Sequence, residues 1–241
     1  MTKPPPLGRL PAEAIGPRAE TIDEAIIAAY LALPDLTGNA SDAMDLLNVG
    51  GAVGAVILRP SIASARIAGP ALTVKNRQRS EPMADVVARK DNRLGDIEAH
   101  NIAQDGDVLV VQGVSNASSL GGIMASIAKR QGERGIVVDG LVRDIEHSRS
   151  IGLPVWARGT TPATGKWRVE TEGVNVPVTI AGVPVSPGDL VLADETGICF
   201  VPHADIARVL ETAQRLAAEE QDRMRRIDAG ATLADLTPVR R

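Results

Sequence analysis

Between Gly106 and Ala157, apolar strand-like runs alternate with helical segments at a spacing that leaves few architectures open. Gly106-Asp107 introduces Val108 to Val111, a fully apolar run, and the turn-rich Gly113 to Ser119 follows it. Gly121-Gly122 then opens a helix through Arg130. Gly135 to Val138 reads as a buried strand, Asp139-Gly140 as a turn, Arg143-Asp144 as the start of a short helix, and Pro154 to Ala157 as the next strand. A hairpin joins only antiparallel neighbours, so strands separated by helices predict crossover units and a partly parallel sheet.

The flanking segments add to this unit. Residues 1–20 hold five prolines and little periodicity, which predicts an extended arm packed on the body or on a neighbouring subunit. Thr21-Ile-Asp-Glu24 fits a capping box, and Ile22, Ala25, Ile26, Ala29 and Leu33 recur at helical spacing up to Pro34. Ser41 is positioned to cap a second helix through Leu47, with a strand expected over Val53 to Leu58. Arg66 to Val74 is strand-like but interrupted by Gly69-Pro70, and Glu81 to Arg93 is polar enough for a loop or exposed helix. Farther on, Val176 to Ile180, Val183 to Val185, Leu190 to Ala193 and Gly197 to Val201 predict an antiparallel section. A long helix over roughly Ala204 to Ile227 carries Ile206, Val209, Leu210, Ala213, Leu216, Met224 and Ile227 on one stripe. The expected organisation is an arm over 1–20, a single α/β domain over 21–228 and a tail over 229–241, with no internal linker.

Composition narrows the functional classes. A net charge of −4 and 2% aromatics give neither the basic footprint nor the stacking surface that nucleic-acid binding uses. No apolar run reaches the roughly 20 residues of a membrane span, and Met1 to Leu10 lacks the apolar stretch of a secretory signal, so a cytoplasmic location is expected. With Cys199 alone, a disulfide framework and a Cys-based zinc site are both excluded, and its strand-like surroundings predict burial. No P-loop, dinucleotide fingerprint or nucleophile elbow occurs.

One segment can carry chemistry. Gly121-Gly122 lies about 20 residues before Arg143-Asp144, at a strand end of the kind where open α/β sheets bind ligands. The first amides of a helix lack intrahelical acceptors, so Gly121, Gly122, Ile123 and Met124 can hold a carboxylate oxygen, and Arg143 can add charge-assisted hydrogen bonds. Asp144 is a hard oxygen ligand of the kind Mg²⁺ takes singly, filling its shell with water and substrate oxygens. The alternative is a plain helix-entry turn beside a solvated ion pair. His100, His147 and His203 are too scattered for a triad or a multi-histidine metal site, Asp139 and Asp194-Glu195 fit turns, and Glu219 and Glu220 fit a solvated helix face.

The string Gly135-Ile-Val-Val-Asp-Gly-Leu-Val-Arg-Asp144, followed by Gly152-Leu-Pro-Val-Trp-Ala-Arg-Gly159, resembles the signature of the 4-hydroxy-4-methyl-2-oxoglutarate aldolase family, which includes the regulator of ribonuclease E activity A. Ser41-Asp42-Ala43, Ile67 to Val74, Gly106 to Val110 and Gly188 to Asp194 extend the likeness over roughly Thr21 to Ile227. The resemblance implies an α/β, swivelling β/β/α fold, with a mixed sheet and C-terminal helix, assembled as trimers or hexamers. It also implies a 2-oxo acid lyase: the Gly121 to Met124 amides and Arg143 hold the pyruvyl carboxylate, and Asp144 anchors Mg²⁺ or Mn²⁺. Retro-aldol cleavage and oxaloacetate decarboxylation then share one pyruvate enolate. In this resemblance an acid is expected about 21 residues before the arginine, where this chain has Gly122. Either a metal-bound water, or Glu219 or Glu220 of an adjoining subunit, is then the expected base, or aldolase activity is weak or lost. The alternatives are a non-catalytic ring that binds a protein such as ribonuclease E, and a sugar-acid dehydratase or related lyase.

Overall fold

The structure is a computed structural model that describes residues 4–237, so residues 1–3 of the arm and 238–241 of the tail lie outside the described residues. Its centre is four parallel strands, β3 (Ile67–Gln78), β4 (Val108–Gln112), β5 (Gly135–Val142) and β6 (Val155–Thr160). Crossovers run through α3 (Met83–Ala88) with α4 (Ile97–Ile102), then α5 (Gly122–Arg130), then α6 (Ile145–Ser150). Successive side chains of a strand face opposite ways. Thus Leu72, Val74, Leu109, Val111, Ile136 and Val138 pack toward the helices, while Ala71, Val108, Val110, Val137 and Trp156 pack into a second core behind the sheet. Both faces are covered, which is why these strands read as unbroken apolar runs.

The antiparallel section completes the sheet. The strand order is β1-β11-β10-β3-β4-β5-β6-β2, with β1 (Gly51–Gly54), β2 (Arg59–Pro60), β10 (Leu190–Ala193) and β11 (Gly197–Val201), while β7 (Val169–Val174) pairs with the far half of β3. β8 (Val178–Ile180) and β9 (Val183–Val185) form a separate ribbon. A third core lies under α1 (Glu24–Leu31), α2 (Leu36–Leu47) and α7 (Ile206–Asp228), where Tyr30, Leu36, Leu190, Cys199 and Val209 are buried. Burial pushes the Cys199 thiol up to about 12, as suits a core residue. The α/β class, the mixed sheet and the C-terminal helix agree with the sequence reading. Among the described residues no helix is long and apolar enough to cross a membrane.

Several local expectations are corrected. Asp23, rather than Thr21, caps α1 by accepting from the Ala25 amide at 2.8 Å. Ser41 falls inside α2, which begins five residues earlier. Its N-terminus is satisfied instead by Asp194, from the β10–β11 turn, which accepts from the Thr37 amide and hydroxyl. The strand expected over Val53 to Leu58 stops at Gly54 and turns. β3 runs unbroken through Gly69-Pro70, because the strand changes partner there, from β10 to β4. At Gly69 a Cβ would meet the Gly106 carbonyl oxygen at 2.2 Å, so only glycine permits the approach. Asp139-Gly140 is an irregularity within β5 rather than its end. The apolar stripe of α7 is buried only as far as Ala217, and Met224 and Ile227 are exposed. α4, β7 and the short α8 (Leu233–Leu236) were not expected.

Candidate active site

The irregularity in β5 creates the site. A Cβ at Gly140 would lie 2.8 Å from the Val114 carbonyl oxygen, so this glycine lets the loop after β4 press against β5. The loop then runs beside the strand end: the Ser119 amide donates to the Leu141 carbonyl at 2.8 Å, and the Arg143 amide donates to the Leu120 carbonyl at 3.0 Å. Those bonds deliver the N-terminus of α5 to Arg143 and Asp144.

Asp144 stands at the head of α6 with φ 56°, in the left-handed region that a non-glycine residue enters at a cost of roughly 1–2 kcal/mol. Its carboxylate turns toward α5, where Oδ2 accepts from the Gly122 amide at 2.9 Å and lies 3.6 Å from Arg143 Nε. Both side chains are nearly half exposed. The expectation that four amides of the α5 start are open is therefore narrowed, since Asp144 uses the one from Gly122. The Ile123 and Met124 amides have no acceptor among the described residues. The glycines fit because space is short: a Cβ at Gly121 would sit 3.1 Å from Arg143 Nε, and one at Gly122 3.3 Å from both Asp144 Cβ and His147 Cδ2. The His147 ring is itself held 2.7 Å from the Ser126 hydroxyl through Nε2.

A cavity of about 410 Å³ opens over these groups, within the size range of small-molecule sites. Gly121, Gly122, Ile123, Met124, Arg143 and Asp144 all line it, so the structure brings the predicted residues together. Ser119 lines it too, and its buried hydroxyl has no hydrogen-bond partner among the described residues. Sequence reasoning missed other residues of the lining, among them Arg9 of the arm, Asn92, Asp96 and Lys166. Burial raises the Asp96 carboxyl above its ordinary value, against the opposing charge of His100. Asp96 stands before the mixed segment Ile97-Glu-Ala-His-Asn-Ile102, which carried no signal that singled it out. Glu219 and Glu220 lie on α7 and do not line this cavity in the same protomer.

Asp144 fits a divalent cation, because Oδ1 is without a partner among the described residues and one hard carboxylate is enough for an ion that keeps its waters. No group of three or more His, Cys, Asp or Glu side chains able to hold a metal occurs among the described residues.

Comparison with known proteins places this geometry in context. A sequence model of the family described as "RraA-like: Aldolase/RraA" matches residues 37–200. A protein of Halalkalibacterium halodurans, provisionally named a 4-hydroxy-4-methyl-2-oxoglutarate aldolase, is 34% identical over 190 residues, covering 78% of this chain and 82% of that one. Among solved structures, RraAS2 of Streptomyces coelicolor, described as an unusual member of the RNase ES inhibitor RraA protein family, superposes with a TM-score of 0.70 at 27% identity, covering 84% of this chain and 97% of that one. An uncharacterised protein from Pseudomonas syringae superposes with a TM-score of 0.74 at 25% identity, over 90% of this chain and 99% of that one.

Proposed function

Since the chain belongs to the RraA-like family, we propose that it is a divalent-metal-dependent lyase that cleaves a pyruvyl-containing 2-oxo acid at the Arg143–Asp144 cavity. One observation carries the reading: a strained Asp144, an arginine beside it and two unsatisfied helix-start amides converge on one cavity. In this reading Arg143 and the Ile123 and Met124 amides bind the carboxylate of the pyruvyl unit. Gly121 and Gly122 keep the approach clear, and Asp144 holds Mg²⁺ or Mn²⁺. When bound, the cation supplies Lewis-acid polarisation of the 2-oxo group, worth several kcal/mol to developing enolate charge.

Retro-aldol cleavage removes the C4 hydroxyl proton, breaks C3–C4 into pyruvate enolate and a carbonyl product, and returns a proton to C3. Asp96 is the carboxyl of this chain suited to moving those protons. What supports it is its share of the cavity wall and the burial that raises its carboxyl. Oxaloacetate decarboxylation would reach the same enolate.

The measurement is pyruvate release from 4-hydroxy-4-methyl-2-oxoglutarate and from oxaloacetate, with Mg²⁺ or with chelator. Release that depends on Mg²⁺ is expected. Asp144→Ala should abolish it, and Arg143→Ala should lower kcat/KM on the order of 10²-fold, the loss of one or two charge-assisted hydrogen bonds. Unchanged kinetics in both variants would remove the assignment.

Gly122 favours a second reading, a ring-shaped regulator that binds a protein partner, because it stands where an acid was expected. Complete absence of pyruvate release from well-folded protein would select it. In either reading a trimer or hexamer is proposed. Sedimentation equilibrium tests it.

A further inference from the structure

Leu7 and Arg9 of the arm build part of the cavity, although they precede the matched family region. Glu98, on α4, is fully buried, and a buried carboxylate needs donors. Its donors are backbone amides of the arm: Oε2 accepts from Leu7 at 2.9 Å and Oε1 from Arg9 at 2.8 Å. A carboxylate that bonds backbone in this way fixes the course of the chain and leaves the neighbouring side chain free for other work. Leu7 and Arg9 both line the cavity as a result.

The charges around the cavity do not balance. Arg9, Arg143 and Lys166 face Asp96 and Asp144, so cations exceed carboxylates before any metal is added. Arg143 lies beside Asp144, and the Lys166 ammonium sits 4.7 Å from the centroid of the Trp167 ring. The Arg9 guanidinium makes no ion pair or hydrogen bond among the described residues, and its charge favours the ionised form of Asp96 in the same cavity lining.

We infer that Arg9 is a specificity-determining residue, which recognises a second, distal carboxylate on a 2-oxo acid whose pyruvyl end is held at Arg143. The inference rests on the reading of Arg143 given above. Both acids named above carry such a second carboxylate, and the inference makes the arm, clamped by Glu98, the element that recognises it. The planar guanidinium matches a carboxylate edge-on, which a lysine in its place would match less well.

Calorimetric titration of the full chain in Mg²⁺ with 2-oxoglutarate and with 2-oxopentanoate tests this directly. The two acids share five carbons and differ only in a terminal carboxylate or methyl group. The wild-type protein should bind 2-oxoglutarate about tenfold more tightly, the scale of one solvent-facing charge-assisted contact. Arg9→Ala should erase the preference by weakening 2-oxoglutarate alone, and Arg9→Lys should restore part of it. Equal affinities in the wild type, a preference that survives in Arg9→Ala, or equal weakening of both acids would overturn the inference. If pyruvate release persists in those cases, the lyase reading stands without it. If neither acid binds and no pyruvate is released, both fall together.

Discussion

Buried ionisable residues report most directly on how this chain is held together. His100 and Glu133 meet at 2.6 Å with almost no exposure, and neither His100 Nε2 nor Glu133 Oε2 has a further partner among the described residues. Burial disfavours the imidazolium, but the hydrogen bond to Glu133, with the charges of Glu133 and Asp96, outweighs it and raises the imidazole above 6.5. A histidine raised in the folded state adds stability that is complete below the unfolded value and is lost as pH rises through the folded one. Glu133→Gln should therefore cost about 3–5 kcal/mol near pH 5.5, the scale for orphaning one member of a buried pair, and clearly less near pH 8. Urea denaturation at the two pH values checks this; a cost independent of pH would mean that the imidazole is neutral throughout. At the same scale, the meeting of Arg143-Asp144 with the start of α5 was legible from sequence. The left-handed backbone at Asp144 was not, because an aspartate enters that region only when its surroundings hold it there.

Secondary-structure elements here borrow their ends from one another. Asp35, at the N-cap of α2, has a positive φ and makes no capping bond. Asp194, 157 residues beyond Thr37, supplies it, accepting from the Thr37 amide, the Thr37 hydroxyl and the amides of Thr196 and Gly197. Replacing Asp194 with alanine leaves several enclosed donors unmet, which should cost about 2–4 kcal/mol. The urea midpoint should fall at unchanged slope, and a loss under 1 kcal/mol would show that water replaces the cap. The same borrowing explains why Ser41 was a plausible cap and was not used: a stronger acceptor arrived from outside the local sequence. α5 is treated likewise, with Asp144 closing the Gly122 amide. Strand β7 escaped notice because Val169-Glu-Thr-Glu-Gly-Val174 is polar at alternate positions and short of apolar weight, and its pairing with β3 supplies what its composition lacks.

Among the described residues, three large cores and a small one of Val114, Ala117 and Val169 pack around the main sheet, and the arm ties the cavity side together. If Glu98 holds the arm, Glu98→Ala should free it and expose the Arg9–Leu10 bond to trypsin, whereas the native chain should resist cleavage there because the Arg9 amide is pinned. Mass spectrometry of a timed digest distinguishes the two; equal rates would assign the clamp to Leu10 packing instead. The sequence by itself determined the α/β class, the crossover order from β4 to β6, the antiparallel return and the Gly121-Gly122 and Arg143-Asp144 pairs, because periodicity and turn chemistry are local. Only the tertiary structure decided that Glu98 pins the Arg9 amide, 89 residues away, and so brings Arg9 to the lining of the cavity that Arg143 and Asp96 share. Such meetings depend on strand register and on which loops close, and no local pattern encodes either.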